Sequence, residues 1–152
     1  MDLLNELPKL LPLAIKWAEK VSKEAQGTGT PLGQNEAAIA MKVGVRHPEL
    51  IRFVVVDRIP LPDDDVLRDA AIQAGMLGQD FIGLTLGYTI FLRANAFLNP
   101  RLIAHECRHV AQYESFGSVV AFLENHLADV ARVGYYNSHL ERDARDYENC
   151  VP

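Results

Sequence analysis

The sequence predicts one α+β domain over residues 1–152. Several segments repeat apolar residues at three- and four-residue spacing, which indicates amphipathic helices. Two short segments instead carry the β-branched or alternating pattern of strands. A chain of 152 residues also suits a single domain with its own hydrophobic core.

The first predicted helix is amphipathic and lies within residues 1–25. Pro8 and Pro12 fall near its beginning, where proline is tolerated. We expect this helix to pack on the core of its own domain, although an inhibitory segment over the site or a dimerisation helix would show the same pattern. Its apolar residues recur at helical spacing: Leu11, Ala14, Ile15, Ala18 and Val21.

The next segments predict two helices and a strand. One helix covers residues 35–43 and ends at Gly44, and a strand rich in β-branched residues covers residues 51–56. We expect this strand to be central in its sheet. Three consecutive acids, residues 63–65, precede a helix over residues 66–74, and a helix N-terminus explains them better than a calcium site.

The remaining elements form the core of the predicted site, residues 83–147. Residues 83–92 alternate and predict one strand, with Leu84 and Ile90 on an apolar face and small residues such as Thr85 on the other. A strand beside a metal site can hydrogen-bond an extended peptide, and its small face permits close approach; a plain sheet strand packed on the core shows the same pattern. Helices are predicted over residues 101–116, 118–133 and 138–147.

One motif indicates a metal site, the sequence His105-Glu106-Cys107-Arg108-His109. Histidines four residues apart project from one face of a helix, close enough to bind the same ion, and zinc accepts imidazole nitrogen readily. Glu106 points to the flank, where its carboxylate can take a proton from a metal-activated water. Cys107 is expected to be a small buried side chain.

Two histidines leave a catalytic site one ligand short. Glu114 rotates off the ligand face, so the third ligand must come from another helix. The residues alone leave several downstream candidates open: Glu124, His126, Asp129, His139, Glu141, Asp143 and Asp146.

A resemblance to a known family selects among these candidates. His105-Glu106-Cys107-Arg108-His109 and, 32 residues after the second histidine, Glu141-Arg142-Asp143-Ala144 resemble the HExxH and ExxA motifs of gluzincin metallopeptidases. The stretch from residue 83 also resembles minimal gluzincin domains and metalloprotease-like domains of contractile injection systems. The resemblance implies a zincin-like domain, one Zn²⁺ held by His105, His109 and Glu141, Glu106 as the general base, and a peptide or protein substrate.

Three further residues are candidates for supporting roles. Tyr136 and His139 are candidates for stabilising an oxyanion, and Asp146 for orienting a zinc ligand. Many gluzincins have an aspartate directly after the alanine of ExxA, whereas this chain has Arg145 there and Asp146 one place later.

Composition narrows the class of protein further. A net charge of −5 and a pI near 5.5 give no general attraction to nucleic acid. No apolar stretch is long enough for a membrane span, the N-terminus does not resemble a secretory signal, and the two cysteines suggest a reducing compartment, so a cytoplasmic protein is expected. Two alternatives to a hydrolase remain. One is a catalytically inactive, zinc-stabilised interaction module of a larger assembly, and the other is a metal-free structural domain.

Overall fold

The computed structural model describes residues 2–78, 80–97 and 99–151. Across these ranges the chain forms helices and one small mixed sheet, which confirms the α+β class. The helices are α1 (Leu3–Gln26), α2 (Gln34–Lys42), α3 (Asp65–Gln73), α4 (Pro100–Phe116), α5 (Val119–Val133) and α6 (His139–Tyr147), and α6 continues into a 3₁₀ turn, Glu148–Cys150. The strands are β1 (Thr30–Pro31), β2 (Arg52–Val56), β3 (Gly83–Leu86) and β4 (Thr89–Arg93).

The sheet has the strand order β1-β2-β4-β3. β2 pairs antiparallel with β1 and parallel with β4, so the prediction of a central strand near residues 51–56 is confirmed. β3 pairs antiparallel with β4 and with no other strand of the described ranges. β3 is therefore an edge strand of the sheet.

The prediction of a single strand over residues 83–92 is wrong, because the chain turns back at Gly87 and Tyr88. Leu84 lies opposite Phe91 and Leu86 opposite Thr89, as in a hairpin with a two-residue connection. Gly87 has φ +63°, and such short turns favour glycine at a positive φ. Phe91 consequently shares a face with Leu84, the face from which a continuous strand would have excluded it.

Helices cover both faces of the sheet. Ile90 and Leu92 of β4 pack with buried residues of α2 and α4 in one apolar cluster. Leu86 and Phe91 belong to a second cluster, which contains Ala18 of α1 and Leu123 of α5. Neighbouring residues of one hairpin thus contribute to two cores, as the pleat requires.

The first helix begins earlier than its apolar spacing suggests. The side chain of Asp2 caps it by accepting a hydrogen bond from the Leu4 N–H at 3.1 Å. Pro8 and Pro12 lie inside the helix on its exposed side, where water can reach the carbonyls that lack a helical donor. The buried face packs Leu10 against Leu67 and Ala70 of α3, as expected for a helix on its own domain's core.

Capping residues set the ends of the helices that build the site. Asp64 accepts a hydrogen bond from Leu67 N–H at 2.9 Å, which confirms the helix-terminal role of the acids at residues 63–65. Asn99 caps α4 through the Arg101 N–H at 3.0 Å, and Gly117 ends that helix at φ +88°. None of the helices in the described ranges has the length and apolarity needed to span a bilayer.

Candidate metal centre

Helix α4 presents two imidazoles on one face. His105 and His109 are one turn apart, and their ring centroids are separated by 5.0 Å. The opposite face of α4 carries Ile103, Cys107 and Val110 into the core, which fixes the rotation of the helix. Burial raises the pKa of the Cys107 thiol to about 12, so this side chain is a core residue and not a thiolate ligand.

Helix α6 packs on α4 and brings a carboxylate to both histidines. Glu141 Oε1 lies 3.3 Å from His105 Nε2, and Glu141 Oε2 lies 2.8 Å from His109 Nε2. One ligand atom from each of the three residues lies within 4.8 Å of the others. These three side chains could therefore hold a metal ion between the two helices.

The second nitrogen of each imidazole also has a partner. His105 Nδ1 lies 2.9 Å from Glu148 Oε2, in the 3₁₀ turn after α6. His109 Nδ1 lies 2.8 Å from Gln112 Oε1, on the same helix. Acceptors of this kind hold the ring in place and direct the other nitrogen toward a metal.

Asp143 ties α6 to α4 beside the ligands. Its Oδ2 accepts hydrogen bonds from Arg108 Nε and Gln112 Nε2, both at 2.8 Å. Arg108 also donates to the carbonyl of Val43 at 2.7 Å, and its guanidinium lies 3.9 Å from the centre of the Tyr147 ring. Three helices are therefore fixed to each other within one turn of the metal ligands.

Glu106 lies beside the donor set without belonging to it. Its Oε2 is 4.0 Å from His105 Nε2, and its Oε1 accepts a hydrogen bond from Thr85 Oγ1 at 2.8 Å. A Cβ atom at Gly83 would lie 2.9 Å from Oε2, so the missing side chain there makes room for this carboxylate. The hairpin β3–β4 thus positions Glu106 through Thr85 and Gly83.

Two further side chains reach the cluster from α5 and the turn after it. His126 Nε2 lies 4.0 Å from Glu141 Oε2, and Tyr135 interacts with the same carboxylate. His126 is buried, and within the described ranges its Nδ1 is the buried side-chain atom without a hydrogen-bond partner. Gly134, at φ +87°, lets the chain turn so that Tyr135 faces inward.

The charges of the two histidines and Glu141 shift one another's pKa more than burial does. Burial alone would lower the pKa of His109, but the Glu141 carboxylate raises it to about 9. The pKa of His105 is also raised, since hydrogen bonding to Glu141 and the charge of Glu106 outweigh burial. The same histidines hold the pKa of Glu141 far below its usual value, although burial opposes this shift. Without a metal, protonated imidazoles and a carboxylate therefore form a buried ionic cluster.

The two adjoining residues are neutral at physiological pH. Burial, reinforced by the charge on His109, lowers the pKa of His126 to about 4. Burial and the nearby carboxylates raise the pKa of Tyr135 above its ordinary value. A neutral imidazole and a phenol are therefore available as hydrogen-bonding groups beside the cluster.

The three supporting candidates lie outside this cluster. Tyr136 is 70% exposed, with its ring against the guanidinium of Arg145. The ring of His139 is hydrogen-bonded to Asp129 Oδ2 at 2.9 Å, and the same oxygen accepts a hydrogen bond from the His139 backbone N–H at 2.7 Å. Asp146 is exposed on α6. The adjacent Tyr135, by contrast, interacts with Glu141.

The other downstream candidates have structural contacts or stay at the surface. Glu114 accepts backbone hydrogen bonds from Arg46 at 2.7 Å and His47 at 3.0 Å, and so anchors the loop after α2. Glu124 is exposed on α5. Residues that the sequence interpretation did not assign include Gln112, Glu148 and Tyr135, of which only Gln112 carried a local signal, its spacing of three residues from His109.

Comparison with known proteins gives no relative from which a function can be transferred. No protein-family model, no curated protein and no solved structure matches this chain. The functional inference therefore depends on the arrangement of the side chains. His105, His109 and Glu141 form a cluster that could hold a metal ion.

Proposed function

We propose that this protein is a zinc-dependent hydrolase that cleaves peptide bonds. The observation that carries the proposal is that one cluster contains both a set of metal donors and a separate carboxylate that could act as a base. Three donor residues on two helices, His105, His109 and Glu141, converge within 4.8 Å, while Glu106 remains outside this set. A site with three protein ligands leaves a position open for substrate or water, as in catalytic zinc centres.

The chemistry of the donors favours zinc over calcium and magnesium. Two imidazole nitrogens and one carboxylate oxygen form a mixed set that suits zinc, whereas calcium and magnesium prefer oxygen ligands alone. When bound, zinc would polarise a scissile carbonyl and lower the pKa of a water molecule to about 7. His105 and His109 must be neutral for binding, so their protons leave as the ion enters.

Glu106 is the proposed general base. Its carboxylate lies beside His105, is buried, and is held by the hydroxyl of Thr85 at 2.8 Å. In that position Glu106 takes a proton from the attacking water and later delivers it to the leaving amine. Thr85 restrains the carboxylate, and Gly83 leaves the space in which it stands.

His126 and Tyr135 are proposed to stabilise the negative charge that develops on the carbonyl oxygen. His126 lies 4.0 Å from Glu141, Tyr135 interacts with the same carboxylate, and both are neutral at physiological pH. Neutral N–H and O–H donors fixed by burial are suited to bind a developing oxyanion. The unpartnered Nδ1 of His126 also leaves this side chain free to form a bond when substrate is present.

The edge strand β3 supports a peptide as the substrate. Arg93 N–H donates to the carbonyl of Ile82 at 2.9 Å, so Ile82 and, by alternation, Leu84 direct their backbone groups toward β4. The backbone groups of Gly83 and Thr85 then point to the free edge, next to Glu106. An extended peptide that paired with this edge would pass beside the metal ligands.

This arrangement also supports a zincin-like, gluzincin-type domain. The active-site helix α4 follows the edge hairpin, and the third ligand comes from a later helix, as the motif resemblance implies.

A zinc-stabilised module without turnover is the second candidate. The feature that favours it is the proximity of His126, whose Nε2 lies 4.0 Å from Glu141. If His126 moved to become a fourth ligand, the site would be closed and structural. The two candidates agree on metal binding and differ only in turnover.

The test has two stages. Zinc is first measured by elemental analysis in protein purified without added metal, and a ratio near one per chain is expected. Hydrolysis of a quenched peptide library is then compared for wild type, Glu106→Gln and Glu124→Gln. We expect Glu106→Gln to keep zinc and lose hydrolysis, while Glu124→Gln, an exposed glutamate on α5, stays active.

Each alternative outcome has a definite meaning. Full activity of Glu106→Gln would remove its role as base. Stoichiometric zinc without cleavage of any library member would favour the structural module. Absence of zinc, together with no binding of added zinc, would overturn both.

A further inference from the structure

A cavity of about 140 Å³ adjoins the candidate metal centre. Glu106, His109 and Glu141 line it at one end, together with His126 and Tyr135. Most of the remaining wall comes from α1, α3, α5 and the hairpin strand β3, and loop residues such as Met76 and Phe81 complete it. The cavity is therefore continuous with the groups proposed to perform hydrolysis.

Away from that end the wall is apolar. Helix α1 contributes Leu7, Leu10 and Ala14, and α3 contributes Ala70 and Ala71. The alanines matter because their short side chains leave the space between the two helices unfilled. Since no side chain in this part of the wall carries a charge, the cavity favours an apolar group over a charged one.

We infer that this cavity receives a bulky apolar side chain of a peptide substrate, next to the scissile bond, and that α1 and α3 determine which side chain fits. The inference rests on the proposed function, because it places the scissile bond at the metal centre. It assigns α1 a part in substrate selection, in addition to its packing on the core.

The size of the cavity indicates the size of the group. An engineered cavity of about 150 Å³ with an apolar lining holds benzene. The side chains of phenylalanine and leucine are of this size, whereas alanine would leave most of the space empty. A lysine or aspartate side chain would lose its hydration without gaining a partner in the apolar wall.

His126 favours a peptide over a purely apolar molecule. This histidine lines the cavity, is buried, and has an Nδ1 atom without a hydrogen-bond partner. Unsatisfied buried polar atoms are uncommon and costly. A peptide whose side chain occupies the apolar wall would bring backbone N–H and C=O groups to His126 and to the free edge at Thr85, whereas a hydrocarbon chain would satisfy neither.

Binding is tested separately from turnover with zinc-loaded Glu106→Gln. Calorimetry measures its affinity for blocked peptides that differ at one central residue: Leu, Phe, Ala, Lys or Asp. We expect the Leu and Phe peptides to bind at least about tenfold more tightly than the Ala peptide. The Lys and Asp peptides should bind more weakly still. In wild type, kcat/KM for the same series should follow the same order.

Two substitutions fill the cavity from opposite walls. Ala14→Leu on α1 and Ala71→Leu on α3 should each reduce the preference for Phe over Ala by about tenfold or more, with zinc content unchanged. Ala38→Leu, at an exposed position on α2, is the matched control and should keep the wild-type preference. Because both cavity variants bury additional apolar surface, their melting temperatures should not fall.

The outcomes separate this inference from the proposed function. Equal affinity for all five peptides, with zinc bound, would overturn the cavity inference and leave a hydrolase possible. Selective binding of Leu and Phe peptides without turnover in wild type would support the cavity and overturn the hydrolase. Tighter binding of a blocked decanoyl amide than of any peptide would overturn the peptide assignment.

Discussion

Gln112 accepts a hydrogen bond of 2.8 Å from Nδ1 of His109, and this bond directs Nε2 of the ring toward Glu141. The direction of the bond follows from the other contacts of the amide. Gln112 Nε2 donates to the carbonyl of Leu140 at 3.0 Å and to Asp143 at 2.8 Å, so its Oε1 must be the acceptor. When His109 loses its second proton, the lone pair is therefore on Nε2, where a metal could bind.

Replacing Gln112 by leucine should weaken zinc binding. The substitution keeps much of the volume but removes the acceptor for His109 Nδ1, and loss of such a partner typically costs about 10–100-fold in metal affinity. Affinity is measured by competition with a chromophoric chelator. Gln34→Leu, at an exposed position on α2, serves as the control. Unchanged affinity in Gln112→Leu would show that the ring is oriented by packing alone.

Glu148 should have the corresponding role for His105. Its carboxylate lies 2.9 Å from His105 Nδ1, so Glu148→Ala should lower zinc affinity by about 10–100-fold. Glu148→Gln retains an oxygen that can accept the same hydrogen bond and should lose less. The two variants are compared in the same chelator competition, and equal losses would contradict a role for the acceptor.

Gly83→Ala should reduce turnover without removing the metal. The added Cβ would lie 2.9 Å from Glu106 Oε2 and 3.0 Å from its Cδ, so the carboxylate must move. Displacement of a catalytic group by about 1 Å can cost about 10²-fold in rate. The measurement is kcat with zinc content determined on the same sample. Gly78→Ala, where no atom of the described residues beyond the chain neighbours lies within 4 Å of the added Cβ, should retain wild-type activity.

Removal of the metal should destabilise the fold. Zinc held by His105, His109 and Glu141 would join α4 to α6, and free zinc at about 100 times its Kd would contribute about 2.7 kcal/mol. For a domain of this size that corresponds to a loss of roughly 5–10 °C in melting temperature on chelation. His109→Ala should show no response to the chelator. An equal response in both proteins would place the metal elsewhere.

The metal-free protein should lose stability as the pH rises from about 6.5 to about 9. The pKa of His109 is raised from 6.5 to about 9, so its stabilising contribution is complete below 6.5 and disappears through that interval. The pKa of Glu141 is lowered from 4.5, so its contribution is present above 4.5 and is lost in acid. The cluster is thus expected to contribute most to stability between about pH 4.5 and about pH 6.5.

Thermal unfolding of chelator-treated protein between pH 5 and pH 9.5 tests this expectation. Zinc-loaded protein should instead keep or gain stability as the pH rises, because protons no longer compete for the ligands. His109→Leu without metal should lack the alkaline decline that is due to His109. An identical decline in that variant would assign the effect to other groups.

Features that depend on neighbouring residues could be predicted from the sequence. His105, Glu106 and His109 lie within two turns of one helix, and helical spacing alone places the two imidazoles on the same face. The helix start at the acids of residues 63–65 is likewise local, and Asp64 caps α3 in the structure. Glu141 required the motif resemblance, because nothing local relates it to α4.

Contacts that depend on how distant segments of the chain pack together could not be predicted. His126 approaches Glu141 only because α5 runs back across α4, and Tyr135 faces inward only because of the turn at Gly134. The hairpin was missed for a related reason. Residues 83–92 alternate without a break, and the positive φ at Gly87 reverses the chain without changing that pattern.

The contacts between α4 and α6 are ionic even where no cation is present. Asp143 faces Arg108, Glu141 faces His109, and Glu148 faces His105 across the helix interface. Protons on the imidazoles can therefore occupy the role of the ion and keep the two helices together during its absence.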